Sequence, residues 1–287
     1  MKRYKYIIFL MTLFTLYSCV NKINDAQDEE SSVAKIMFKI KEYEQEPFSD
    51  KTRAVLSKAC SHLTYIDCVN GKEEQKIDQT SSENGFGIIT TDLSFGTHEL
   101  FFIGHNQDNL DFNINNYNLL FSKIGDTFTH YLSIEVNQDT KSSQSISLVR
   151  QVAKFELVAT DAIPTNITSL YIVATNGSTT LNAKNGKGGI KSIQSKTINI
   201  PISFIGTKNN TFSCYTFLPS NDSAEMSFSV SAKDKDGNIM YSHQFENVPM
   251  EINSITRYSG IFFSNEIKYT GTIIIDDEWK NIINNNF

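Results

Sequence analysis

Residues 35–41, KIMFKIK, alternate: Ile36, Phe38 and Ile40 fall on one face, Lys35, Lys39 and Lys41 on the other, with Met37 as the exception. A period of two marks a half-buried β-strand, because successive side chains of an extended chain point to opposite faces. Similar strand-like stretches recur along most of the chain. Residues 62–69, HLTYIDCV, end at Asn70-Gly71, a dipeptide that favours a tight hairpin turn because both residues tolerate positive φ. Strands are predicted at 86–91 and 97–105 with a turn over 93–96, at 129–136, and as one long strand over 146–158. Others follow at 170–175 ahead of Asn176-Gly177, at 211–218, at 254–263 and at 269–275. Strands 226–232 and 238–245 flank Asp234-Lys235-Asp236-Gly237, a hairpin. Helical periodicity is scarce; 108–122 and 277–284 read as a short helix or irregular loop.

Short strands spaced by roughly 8–12 residues, with Asn, Gly and Asp at the turns, predict an all-β protein of β-sandwich type. The polar run 139–145 places a domain junction there, with one sandwich at about 33–143 and another at about 144–287.

The N-terminus follows a different pattern. Lys2, Arg3 and Lys5 precede residues 7–16, which are apolar except for Thr12 and Thr15. A basic cluster followed by an apolar run of this length is the pattern of a secretory signal peptide, and the run is shorter than the ~20 residues that span a bilayer. Leu16-Tyr17-Ser18-Cys19 resembles the bacterial lipobox, with Tyr17 bulkier than the usual residue at its place. That resemblance implies cleavage of residues 1–18 and a diacylglyceryl group on the Cys19 sulfur. Acyl chains contribute about 0.8 kcal/mol per buried methylene, so several of them anchor a chain without a spanning helix. Residues 19–32 are polar and carry Asp25, Asp28, Glu29 and Glu30, and read as a flexible acidic tether. In Bacteroidetes such a stretch resembles the signal for display on the outer face of the outer membrane.

Losing Lys2, Arg3 and Lys5 with residues 1–18 leaves 23 basic residues against 32 acidic ones, a net charge near −9. This argues against nucleic acid, which needs a basic stripe. Lipidation of Cys19 leaves Cys60, Cys68 and Cys214, an odd number, read as three small buried thiols. The five histidines, at 62, 98, 105, 130 and 243, show no ligand spacing and read as surface or strand-edge residues. Asp234–Asn238 resembles the start of a calcium loop without its later glutamate. Asp276, Asp277 and Glu278 point apart in an extended chain, and KNGKGG at 184–189 reads as a loop without the P-loop order. No catalytic constellation, metal site or cofactor motif is found, and the chain reads as non-enzymatic.

Several stretches together resemble the fimbrillin superfamily of Bacteroidetes, and within it the fimbrillin-A associated anchor proteins. They are the lipobox at Cys19, ACSHLTYIDCVNGK, GFGIITTDLSFGTHELFFIGHN, SLVRQVAKFEL around Arg150, ITRYSGIFF around Arg257, and GTIIIDDEW near the end. The resemblance implies two tandem transthyretin-like β-sandwich domains, displayed on the outer membrane through a lipid and joined to other fimbrial subunits by β-strand exchange. Residues 35–41 and 269–275 are the candidate exchange strands. In shaft subunits of that superfamily a protease cuts after an arginine behind the first strand, and Arg53 stands in such a place; anchor subunits keep both strand and lipid. The alternatives are a shaft or tip adhesin processed after Arg53, and a surface glycan-binding lipoprotein using Trp279 and Tyr258 as an aromatic platform, with host or bacterial surface ligands as partners.

Overall fold

The computed structural model describes residues 32–41, 56–107, 109–264, 268–271 and 281–282. The chain is all-β. In the first half the strands are β1 (Val33–Lys41), β2 (His62–Val69), β3 (Lys72–Thr80), β4 (Ile88–Ser94), β5 (Gly96–His105), β6 (Asp111–Asn113), β7 (Asn118–Leu120), β8 (Phe128–Val136), β9 (Ser143–Ser147) and β10 (Val149–Arg150). A single helical turn, α1 (Leu56–Ala59), precedes β2. In the second half they are β11 (Ala153–Ala159), β12 (Ser169–Ser178), β13 (Thr180–Asn182), β14 (Lys191–Asn199), β15 (Asn210–Thr216), β16 (Ser223–Lys233), β17 (Ile239–Glu251), β18 (Ser254–Ile261), β19 (Lys268–Gly271) and β20 (Asn281–Ile282).

The first half packs sheet β4-β1-β9 against sheet β10-β8-β5-β2-β3. Ile36, Phe38, Leu63, Tyr65, Phe102 and Phe128 are buried together in its core. The second half combines sheet β15-β11-β18-β19, with β20 also on β18, and sheet β14-β12-β16-β17. Phe155, Leu157, Ile172, Phe228, Val230 and Phe245 are buried in its core. A third apolar cluster joins the halves, with Ile66, Phe101, Ile103 and Leu119 from the first and Val152 and Phe217 at or beyond the crossing. A three-stranded sheet, β13-β7-β6, also takes strands from both halves.

The Asn70-Gly71 hairpin forms as the dipeptide predicts, with φ of 51° and 73°. Asp234 holds the later hairpin by accepting backbone N–H bonds from Asp236 and Asn238, both at 2.9 Å, a turn role rather than a calcium one. Cys60, Cys68 and Cys214 are unbridged and buried, and burial pushes each thiol up to about 12.

Four expectations are corrected. The long strand over 146–158 is three strands. Ile146 and Leu148 point into the first core, Val152 into the bridging cluster and Phe155 into the second core, so one apolar alternation serves three cores. β9 and β10 pair with the first-half strands β1 and β8, and the chain crosses after Arg150. Asn176-Gly177 is not a turn ending a strand but a bulge inside β12. A Cβ at Gly177 would sit 2.2 Å from Thr216 Oγ1, so the close approach of β15 requires glycine. The 108–122 stretch holds the short β6–β7 hairpin. His98, His105 and His243 are buried, not surface residues.

Candidate assembly site

β1 lies centrally in its sheet. It pairs antiparallel with β4 from Val33 opposite Ser94 to Lys39 opposite Ile88, and parallel with β9 from Met37 opposite Ser143 to Lys41 opposite Ser147. Further backbone bonds run from Met37 N–H to Ser142 O at 2.9 Å and from Ile40 N–H to Gly87 O at 2.8 Å. Its alternation decides its facing: Ile36 and Phe38 are fully buried and Lys35 and Lys39 exposed. Phe38 meets Tyr65 with centroids 6.1 Å apart and Phe102 edge-on at 5.2 Å. A strand near the N-terminus thus fills a slot lined on both sides by backbone and below by the core. Its removal would leave unpaired donors and acceptors along an apolar groove.

Buried polar groups sit at both ends of β5, which lies in the sheet facing β1. At the corner where β1 begins, the buried His98 sets Nδ1 at 2.8 Å from Asp67 and Nε2 at 2.9 Å from Ser94 O. Burial pushes the Asp67 carboxyl up, with His98 pulling the other way. At the opposite end of β5, Gln107 N–H donates to His105 Nδ1 at 3.3 Å, so His105 carries its proton on Nε2, 3.0 Å from Thr64 Oγ1. Thr64 in turn donates to Asp78 at 2.5 Å. Burial, with His62 stacked 5.4 Å away, lowers His105 to about 4, while Asp78 and Lys76 act in opposite directions. An unfolded histidine titrates near 6.5, so this site adds no penalty above that pH, and stability falls as pH drops from about 6.5 to about 4. The expected loss at pH 4 is of order 3 kcal/mol, and it should be absent in His105→Gln when urea midpoints are compared at pH 7.5 and pH 4.5.

Two polar clasps hold the halves. Arg150, 4% exposed, donates from Nε and Nη2 to the two oxygens of Asp126 at 2.8 and 3.0 Å, and from Nη1 to Asn253 Oδ1 at 3.0 Å. Its guanidinium lies 4.8 Å from the centroid of the Phe128 ring. Lys184, from the KNGKGG loop, reaches Glu99 at 2.5 Å and lies 4.8 and 5.0 Å from the ring centroids of Tyr117 and Tyr131. Partial burial pushes the Glu99 carboxyl up, but Lys184 and the two tyrosine hydroxyls outweigh it and hold it below the usual range. Neither clasp was legible in the sequence, because its members lie 24 to 103 residues apart.

Cys19, Arg53 and Trp279 lie outside the described residues. Tyr258 is 3% exposed and packs on Phe155 and Phe245, with centroids at 5.9 and 5.1 Å, so it is a core residue and not a glycan platform. Of the two candidate exchange strands, 35–41 falls in β1, and the described part of 269–275 falls in β19, on β18. No metal-holding group of His, Cys, Asp or Glu occurs among the described residues.

A search of curated proteins returns no match. Among solved structures, provisionally assigned polysaccharide binding proteins (DUF1812) of Bacteroides thetaiotaomicron share the fold, with a TM-score of 0.52 at 10% identity over 88% of this chain and 98% of that one. A provisionally assigned adhesin of Bacteroides ovatus gives 0.49 at 10% identity over 74% and 77%, and the fimbrial anchor protein Mfa2 of Porphyromonas gingivalis gives 0.46 at 11% over 89% and 100%. A family model described as a family of unknown function (DUF6562) matches residues 27–286, and the chain belongs to that family.

Proposed function

We propose that this protein is a surface subunit of a fimbrium, lipidated on Cys19, held on the outer membrane, and joined to neighbouring subunits by strand exchange. Its role is structural and adhesive rather than catalytic. The observation that carries this reading is the placement of β1: a strand near the N-terminus, central in its sheet, whose Ile36 and Phe38 fill the core. A slot of this kind can be closed by the chain's own strand or by a neighbour's, since main-chain pairing and alternate buried side chains are common to both. The pattern LYSC at 16–19 supports the lipid, and the two separate cores, each between two sheets, support two tandem sandwich domains.

Cys19→Ala is expected to release the protein and its fimbriae into the culture medium. Retention on cells at the wild-type level, measured by immunoblot of cell and medium fractions, overturns the anchor reading. A shaft or tip subunit is the second reading, favoured by the position of Arg53 between β1 and α1. N-terminal sequencing of the surface protein separates them: an acylated start at Cys19 supports the anchor, and a start at Ala54 the shaft.

A further inference from the structure

The second half is open along one side. Among the described residues β14 pairs only with β12 and β15 only with β11, so each presents a backbone edge. Between them lies a cavity of about 650 Å³, lined by Ile172, Ala174 and Cys214 of the second core and, from the first half, by residues 121–124. That volume suits a bound segment, and cavities between halves are favoured binding places.

The segment that carries β14 and β15 is unlike the rest in charge. Residues 162–221 contain Lys184, Lys187, Lys191, Lys196 and Lys208 and neither Asp nor Glu, with Lys184 and Lys187 paired to Glu99 and Asp222 outside the segment. The whole chain is −6, so these five lysines leave −11 for the remainder. On β14, Lys196 shares the inward parity of Gln194 and Ile198, and its Nζ crosses the opening to donate to Ser213 O of β15 at 2.8 Å. Lys196 and Lys123 both line the cavity, and neither has a carboxylate within ion-pair distance among the described residues. Beside them Ile190 and Ile193 are 61% and 72% exposed. Lysines alone are a common guard on an edge strand. Exposed isoleucines beside a core-floored opening are the reverse of a guard.

We propose that this open side accepts an extended acidic segment of a second copy of the chain, residues 21–31, added as a strand along β14. In an extended segment Ile23, Asp25 and Glu29 share one face, an apolar side chain for the floor and carboxylates for Lys196 and Lys123. Eleven residues span up to about 37 Å, enough to lie along the nine-residue β14. The same length argues for a second copy. Val33 starts β1 opposite Ser94, beside the end of β5 where Gly96 faces Val136, whereas the second half joins at the other end, where Gly104 faces Phe128 and Arg150 pairs. Those ends are about 30 Å apart, so a chain's own segment would spend most of its reach in returning. Opposite charge on two parts of one molecule favours a head-to-tail contact. The inference goes beyond the β1 slot; it requires a chain that keeps residues 21–31, and so goes with the anchor reading and not with processing after Arg53.

The test uses the purified chain and a fluorescent synthetic peptide of residues 21–32, NKINDAQDEESS, read by anisotropy. Saturable binding is expected, weakened at least tenfold by Lys196→Glu with Lys123→Glu, and less by Lys196→Gln, with unchanged circular dichroism in each. Sedimentation velocity should show concentration-dependent association, lost when Asp25, Asp28, Glu29 and Glu30 are replaced by their amides. Absence of peptide binding, or binding indifferent to Lys196→Glu, overturns the site. Equal binding of a scrambled peptide overturns strand addition, and a chain monomeric at all concentrations overturns the second copy. Shedding of Cys19→Ala is read on cells and peptide binding in solution, so each reading can fail alone.

Discussion

Phe38→Ala is expected to lower the unfolding free energy by about 3–5 kcal/mol, the range for truncating a buried aromatic ring. Phe38 is fully buried and touches Tyr65 and Phe102, which belong to the facing sheet, so the ring ties the two sheets of the first half together. The cost should exceed simple transfer, because β4 and β9 hold the backbone in place and the cavity left behind has little freedom to collapse. Lys39→Ala, on the exposed face of the same strand, should stay within about 0.5 kcal/mol. Urea unfolding checks both. A loss under about 1 kcal/mol for Phe38→Ala would mean that β1 adds little to the fold, and the exchange slot would lose its physical basis.

The second large effect belongs to Arg150. Arg150→Ala removes the hydrogen bonds to Asp126 and Asn253 and leaves the partly buried Asp126 carboxylate without this cation. Burial already pushes that carboxyl up, with Arg150 the chief opposing influence. Breaking a buried pair from one side costs about 3–5 kcal/mol, because an uncompensated charge remains. Replacing both partners with apolar residues of similar size, Arg150→Met with Asp126→Leu, should recover most of that loss in the same urea assay. If the double variant is as unstable as Arg150→Ala, the bond to Asn253 across the halves matters more than the ion pair.

The strands read most clearly in the sequence are those with one face in a core and one in water. β1 and the β16–β17 hairpin belong to this group, whereas β2, buried on both faces, is marked by its Asn-Gly turn. β3, KEEQKIDQT, and β14, KSIQSKTIN, passed unrecognised because each is an edge strand with little burial, and polar residues are stable there. The buried histidines passed unrecognised too. His98 lies inside only because Asp67, thirty-one residues earlier, is brought to 2.8 Å by the pairing of β2 with β5. Of the candidate site, Cys19 and Arg53 are read from local patterns alone, whereas the slot around β1 exists only once β9 has returned to lie beside it, over a hundred residues later.

The local pattern of side chains by itself determined the strand-rich class and the face β1 turns to the core, because alternation and turn residues act over a few neighbours, and it is the sole basis for the leader and lipid proposed at Cys19. Only the tertiary structure decided which core each strand serves, which edges stay open, and that Arg150 and Lys184 clasp the two halves. Those outcomes depend on pairings between residues far apart in the chain, and no short stretch of sequence carries them.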